Sequence, residues 1–399
     1  MSELLSFEAA LERLLGAVAP LGRVETRPTA ACLGRVLAAD LVSTLDVPPL
    51  DNSAMDGYAL RFADLDAGQA LPVSQRVPAG SLPQPLAAGT CARIFTGAPV
   101  PVGADIVVMQ EHCEVDDAGV RVSVAPRPGQ HVRRRGEDVR AGSTVLAAGH
   151  RLDAASLGLA ATVGAAQLDV AQPLRVALFS TGDELQMPGE PLKPGAIYNS
   201  NRYTLRALLE GLGCAVVDLG IVPDRLDATR AALRDAAARA DVIVTSGGVS
   251  VGEEDHLRPA VEAEGRLELW RVAIKPGKPL AFGRVGDACF VGLPGNPVSS
   301  LITFVMLVRP LLLRLLGATK LAPTRYALRA DFAWPRPDAR REFLRVRLNE
   351  AGGVELFANQ GSGVLTSAVW GDGLVDNPPH QAIAPGDTVG YLPLRELMA

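Results

Sequence analysis

Two lysines, Lys275 and Lys278, stand three residues apart in Ile274-Lys-Pro-Gly-Lys-Pro279. The chain otherwise avoids lysine: only Lys193 and Lys320 accompany them among 39 basic residues. A compact ammonium on a flexible stem suits a small tetrahedral oxyanion, whereas the planar guanidinium fork suits bidentate carboxylate or phosphate. The pair therefore reads as an oxyanion site, because a solvated lysine loop would be out of character for this composition.

A second segment, Thr245-Ser-Gly-Gly-Val-Ser-Val-Gly-Glu-Glu-Asp255, joins hydroxyls and glycines ahead of a helix. Bare backbone N–H groups in such a loop cradle phosphate, and the helix dipole assists. Its acids, Glu253, Glu254 and Asp255, repel phosphate but suit a Mg²⁺ ion bridging to one. An ordinary glycine turn followed by acids in a first helical turn fits the same residues equally well. Three further loops of unusual composition follow expected strands: Ser180-Thr-Gly-Asp-Glu-Leu185, Val222-Pro-Asp224 and Gly292-Leu-Pro-Gly-Asn-Pro297. Each alone is weak. Gathered at one edge of one sheet, they exceed what turn chemistry explains.

Other patterns lead elsewhere. Gly248-Val-Ser250-Val-Gly252 fits G-x-S-x-G, but a serine hydrolase needs a later histidine paired with a carboxylate. Only His256 and His380 follow, the first too near along the chain and the second in another expected domain. Gly277-Lys278 is followed by Pro279 where a Walker loop needs Ser or Thr. Asp51-Asn-Ser-Ala-Met-Asp-Gly-Tyr-Ala59 reads locally as an Asx-type turn. Val132-Arg-Arg-Arg-Gly-Glu-Asp138 reads as solvated surface.

The elements that must position these loops alternate between residues 174 and 318. Leu174–Ser180, Cys214–Ile221, Asp241–Thr245, Leu267–Ile274 and Ala288–Gly292 are expected strands. Helices are expected over Asn201–Leu212, Leu226–Ala240 and from near Pro297. Strand–helix alternation argues a doubly wound, mostly parallel sheet, whose ligands sit at the C-terminal strand ends. Residues 7–18 carry Phe7, Ala10, Leu11, Leu14, Leu15 and Val18 on one helical face, with Ser6 as N-cap. From about 45 the strands become short (Ala92–Phe95, Asp105–Met109, Val120–Val124), separated by Pro and Gly clusters, which makes a small β domain. From about 325 short strands return (Tyr326–Phe332, Glu342–Leu348), which suggests a terminal β-barrel.

Composition narrows the classes. With 399 residues the chain is expected to hold two to four domains. A net charge of −5 argues against a chain-wide nucleic-acid binder. Five single cysteines without a C-x-x-C pair fit reduced thiols in the cytoplasm. The start lacks a basic region, so no signal peptide is expected. Val298–Leu316, broken by Arg309, Pro310 and Arg314, reads as a buried helix and no membrane span is expected.

The combination of Asp51–Ala59, Thr96-Gly-Ala98, Arg133–Asp138, Ser180–Leu185, Thr245–Asp255, Lys275–Pro279 and Gly292–Pro297 resembles the MoeA family. These are the molybdopterin molybdenumtransferases, equivalent to the E domain of gephyrin and its plant counterpart. The resemblance covers essentially the whole chain, in the family's order. It implies a multidomain α/β protein: a central doubly wound, mostly parallel α/β domain of molybdopterin-binding type (174–318), a β-rich domain (51–137), an N-terminal dimerisation region (1–50 and 138–173) and a small C-terminal β-barrel (319–399). It implies that molybdate is inserted into adenylylated molybdopterin with release of AMP and with Mg²⁺ assistance. It also implies a homodimer whose site lies between the α/β domain of one subunit and the β domain of the other, and contact with a molybdopterin adenylyltransferase.

By motif, Lys275, Lys278, Pro279 and Ser299 match the family's molybdate pocket, joined by Arg345 in Phe343-Leu-Arg-Val346 and Ser362 in Asn359-Gln-Gly-Ser362. Glu184 and Asp255 match carboxylates near the nucleotide phosphates and Mg²⁺. Asp56, Thr96, Asp138 and Asp224 match further functional positions. Thr181, Gly182, Ser246, Gly247, Gly248, Ser250, Gly252, Pro294, Gly295 and Asn296 are expected around nucleotide and pterin. The family often has Tyr after its Glu-x-Asp, whereas His256 follows Asp255 here. A molybdopterin adenylyltransferase would share the α/β domain and glycine loop but not the 325–399 module. A partner-binding scaffold would keep the fold without the reaction.

Overall fold

The computed structural model describes residues 4–65, 69–249 and 256–398. At its centre, Val242–Ser246 and Ala288–Leu293 are buried throughout, and Arg175–Thr181 is buried from Val176 onward. A strand covered on both faces cannot alternate polar and apolar residues, so continuous apolar runs are what a parallel sheet requires. These three strands pair in parallel, and Ala215–Val222 adds parallel to Arg175–Thr181. Successive residues of each strand enter opposite cores, as the two-residue strand period demands. Val176 and Leu178 meet Leu205, Leu209 and Ile302 on one face, while Ala177 and Phe179 meet Leu233, Ala260 and Val261 on the other.

The helices on these faces are Ser200–Gly211, Leu226–Arg239 and Leu257–Glu264, with a long helix over Pro297–Leu315. The long helix has a mean hydropathy of 1.8 and is 94% buried within the protein. Pro310 cannot donate to the helical ladder, and its ring crowds the preceding turn. A widened π turn at Phe304–Val308 lies just ahead of it and takes up that crowding.

The sheet differs from the expected one on one side. Pro279–Val285 is an inner strand, antiparallel to both Gly265–Val272 and Ala288–Leu293. Its sequence concealed it: Pro279 reads as loop but is tolerated as a first strand residue, and Gly283 reads as a break. Gly283 is required there, since a Cβ would stand 2.0 Å from the Arg266 carbonyl oxygen. Beyond this hairpin, Leu4–Leu5 forms the sheet's edge. The helix that follows, Phe7–Gly16, is capped by the Ser6 hydroxyl, which accepts from the Ala9 N–H at 3.1 Å. Phe7, Ala10 and Leu14 enter the same core as Leu174 and Ile302, so this helix packs with the α/β body, and Val36 joins the same core.

Val24–Pro28 pairs with Gln167–Ala171, and Leu41–Val42 with Thr144–Leu146, around a small core of Cys32, Leu37, Leu152, Leu168 and Val170. Between these ribbons, Val73–Val77, Cys91–Ile94, Gly57–Leu60 and Ile106–Met109 make a four-stranded sheet. At the other end, Tyr326–Arg329, Thr388–Pro393, Gly373–Asn377, Arg341–Leu348 and Val354–Leu356 pair in turn, and a bridge from Val354 to Ala330 closes the ring. Ile274–Lys275 also joins this barrel, parallel to Arg341–Leu348, with Lys275 in register with Glu342. The lysine loop is thus stitched to both the α/β sheet and the barrel.

Candidate active site

The C-terminal ends of the four strands Arg175–Thr181, Ala215–Val222, Val242–Ser246 and Ala288–Leu293 open into one cleft of about 720 Å³. Thr181 and Gly182 come from the first strand, Asp224 from the turn after Ala215–Val222, Ser246 to Gly248 from the third, and Pro294 to Asn296 from the fourth. Glu184, Pro279 and Ser299 complete the predicted residues that line it. This is where an open α/β sheet binds its ligand, because the connections diverge there.

Glycine is needed where the backbone closes on itself. Gly247 has φ +88°, and a Cβ on it would lie 2.5 Å from the Thr181 carbonyl oxygen. Gly248 has φ +65°, and a Cβ there would lie 2.8 Å from the Thr181 hydroxyl. Side chains at these positions would strain the turn and fill the cleft floor. The floor also holds donors without partners. The Thr181 hydroxyl and Asn199 Nδ2 are buried and make no hydrogen bond among the described residues, although both residues line the cleft. Buried polar groups are nearly always satisfied, so these two are suited to accepting ligand oxygens as partners. Ser250, Gly252 and Asp255 lie outside the described residues.

The predicted cations have distinct settings. Arg345 is 1% exposed, and its guanidinium donates to the Ser367 hydroxyl at 3.1 Å and to the Phe343 and Gly361 carbonyl oxygens, each at 3.2 Å. All three partners are neutral. Burial pushes this guanidinium down to about 10, which leaves it a full cation at neutral pH. Ser362 is tied to the α/β body, its carbonyl accepting from the Val298 N–H at 2.9 Å. Lys278 is exposed and has no ion pair among the described residues. Lys275 Nζ lies 3.1 Å from Glu342 and 3.4 Å from Asp338. Neither lysine, nor Arg345, nor Ser362 lines the cleft itself, although Gly363 next to Ser362 does.

Asp56, Thr96 and Asp138 lie outside the cleft lining. Asp56 and Thr96 meet each other: Asp56 Oδ1 accepts from the Thr96 N–H at 2.7 Å and from its hydroxyl at 2.8 Å. Those bonds, the backbone one foremost, hold the Asp56 carboxyl below the usual range. The basic run is not simply solvated. Arg134 pairs with Asp51 at 2.7 Å and Arg135 with Asp46 at 2.5 Å, and Asp51 also accepts from the Arg135 N–H. The Asp51 carboxylate therefore pins the loop that leads to Asp138, rather than closing a local Asx turn.

Three family models match along the chain: MoeA N-terminal region (domain I and II) over 5–164, probable molybdopterin binding domain over 177–314, and MoeA C-terminal region (domain IV) over 327–394. A protein of Haemophilus influenzae named molybdopterin molybdenumtransferase is 40% identical over 372 residues, covering 91% of this chain and 92% of the relative. The chain belongs to the MoeA family. Molybdopterin molybdenumtransferase 2 of Mycobacterium tuberculosis is also 40% identical, over 88% of this chain and 90% of its own. Among solved structures, a MoeA protein of Pyrococcus horikoshii shares 32% identity at a TM-score of 0.77, covering 98% of this chain and 99% of that one. A second structure from that organism gives a TM-score of 0.84 at 27% identity.

With the MoeA fold in place, Asn199 stands out as a cleft residue that sequence reasoning missed. It caps the helix Ser200–Gly211, its Oδ1 accepting from the Arg202 N–H at 3.1 Å, and so resembles any helix N-cap in sequence. Its free Nδ2 is visible only in three dimensions. Glu342 likewise shows in sequence only as a strand residue, because nothing in a sequence tells that a glutamate will be buried beside a distant lysine.

Proposed function

We propose that this MoeA-family chain inserts molybdate into adenylylated molybdopterin, releasing AMP and yielding molybdenum cofactor. The curated relatives named molybdopterin molybdenumtransferase, alignable over nearly their full length, support the reaction. The observation that carries the assignment of molybdate to this chain's own residues is Arg345. A buried cation whose partners among the described residues are all neutral carries a desolvation cost of several kcal/mol that no counter-charge there offsets. A dianionic oxyanion at its outer edge would neutralise it. Lys278, Lys275, Ser299, Pro279 and Ser362 flank the same junction between barrel and long helix, which suits a cup that draws molybdate toward the pterin.

In this reading the cleft holds the nucleotide and pterin, with the Gly247 and Gly248 turn leaving room for phosphates and Thr181 and Asn199 donating to them. Glu184 is exposed in the cleft and has no ion-pair partner among the described residues, and Asp224 lines the same wall. Such carboxylates fit a hard cation that keeps most of its water, with Asp255 as a further candidate ligand. Mg²⁺ bound there would neutralise charge on the phosphates. The chain's residues otherwise act by placement and preorganised charge, with no covalent enzyme intermediate. An oxygen nucleophile attacks the phosphoanhydride phosphorus, one P–O bond forms as another breaks, and AMP departs. Asp56, Thr96 and Asp138 would serve the cleft of a second protomer in a homodimer. The five unpaired cysteines suit a reducing cytoplasm.

The test is AMP release from adenylylated molybdopterin by the purified protein, with and without molybdate. Molybdate-dependent release is expected. No release, or adenylylation of molybdopterin from ATP, would remove the proposal.

A further inference from the structure

We propose that Glu342, together with Asp338, withholds Lys275 from the oxyanion site, so that an incoming dianion must displace two carboxylates to recruit the lysine. This rests on the molybdate reading above. Glu342 is 0% exposed, and three neutral donors fix its carboxylate: Trp334 Nε1 at 2.7 Å, the Asp338 N–H at 3.2 Å and Asn377 Nδ2 at 3.4 Å. Lys275 is its only ion-pair partner among the described residues, at 3.1 Å. Asp338 stands 3.4 Å from the same ammonium and is itself gripped by Arg340 at 2.8 Å.

The strand geometry separates the two expected arms of the cup. Residues in register share a face, so Lys275 lies on the side of Glu342, which is the side of Leu344, Val346 and Trp334 in the barrel core. Arg345 is three residues on from Glu342 and projects from the other face, with Phe343, toward the α/β body. Lys275 therefore does not point into the space that Arg345 faces. Its side chain remains 37% exposed at the end of a two-residue strand, so rotation of its flexible stem meets little packing. Arg345 is a fixed charge at the site. Lys275 is a conditional one.

The withheld lysine has a measurable consequence: removing its competitor should tighten oxyanion binding, whereas a merely structural glutamate would leave binding unchanged or weaken it. The experiment is equilibrium dialysis of the full chain against molybdate at fixed ionic strength. Glu342→Gln should bind molybdate about tenfold more tightly, equivalent to ~1.4 kcal/mol. Asp338→Asn, at a partly exposed position, should shift the dissociation constant about threefold in the same direction and carries the test if Glu342→Gln does not fold. Both gains should vanish in a Lys275→Ala background, because a double-mutant cycle isolates the pair. Unchanged or weaker binding by the folded variants, or tightening that persists without Lys275, would overturn the proposal. If the unaltered protein binds no molybdate, the failure lies with the molybdate reading; if it binds and the variants do not differ, only the withholding fails.

Discussion

Glu342 and Arg345 leave a single strand from opposite faces, and their charges meet opposite fates. The carboxylate of Glu342 is satisfied by four donors, one of them the cation Lys275. The guanidinium of Arg345 has hydrogen bonds but no counter-charge among the described residues. The first is finished in the folded chain, and the second awaits an anion.

Arg345→Met follows from that difference. Replacing an uncompensated buried cation by an apolar side chain should leave stability within about 2 kcal/mol of the original, or raise it. Molybdate-dependent AMP release at low molybdate should fall by about 100-fold. Urea denaturation alongside the AMP assay checks both halves; a large stability loss with activity retained would contradict the assignment.

Gly247→Ala addresses the cleft floor. Its positive φ and the 2.5 Å approach to the Thr181 carbonyl leave no room for a methyl group. A stability loss of about 1–3 kcal/mol is expected, with weaker binding of AMP by calorimetry. Ala in place of Gly213, also at positive φ but with open space around it, should affect stability alone.

The shared-site proposal can be checked by complementation. Asp56→Ala and Glu184→Ala should each inactivate, if a cleft draws Asp56 from one protomer and Glu184 from the other. Co-expressed, half the dimers are mixed and carry one intact site, so about a quarter of full activity should return. No recovery would place both residues in the same protomer's site.

Acid stability has a definite sign at Asp241. Burial raises its carboxyl, but Arg23 at 2.5 Å and Arg175 at 2.9 Å outweigh that and hold it below the usual range. A depressed folded value means that its stabilisation is complete above the unfolded value of about 3.9 and is lost as pH falls through the folded one. Asp241→Asn should therefore be less stable at pH 7, and the gap should close as pH falls below about 4. Urea titrations across that range should show the two curves converge; a constant gap would count against the pairing.

The parallel core was legible because Val242-Ile-Val-Thr and its neighbours are apolar without alternation, and the loops after them carry glycine and hydroxyls. The hairpin through Pro279–Val285 was not, since Pro279 and Gly283 look like breaks and are tolerated only by a first position and a close strand crossing. The helix Phe7–Gly16 was clear from its stripe, but a stripe does not name the surface that covers it. Lys275 is conspicuous in a chain with only four lysines. Its engagement by Glu342, 67 positions away, depends on a strand register that no local pattern encodes.

Anomalous scattering at the molybdenum edge, from a crystal of the protein soaked in molybdate, tests the central assignment most directly. A peak within hydrogen-bonding reach of the Arg345 guanidinium, between the barrel and the start of the long helix, is the predicted result. A peak bound elsewhere while Arg345 stays without an anion would contradict it.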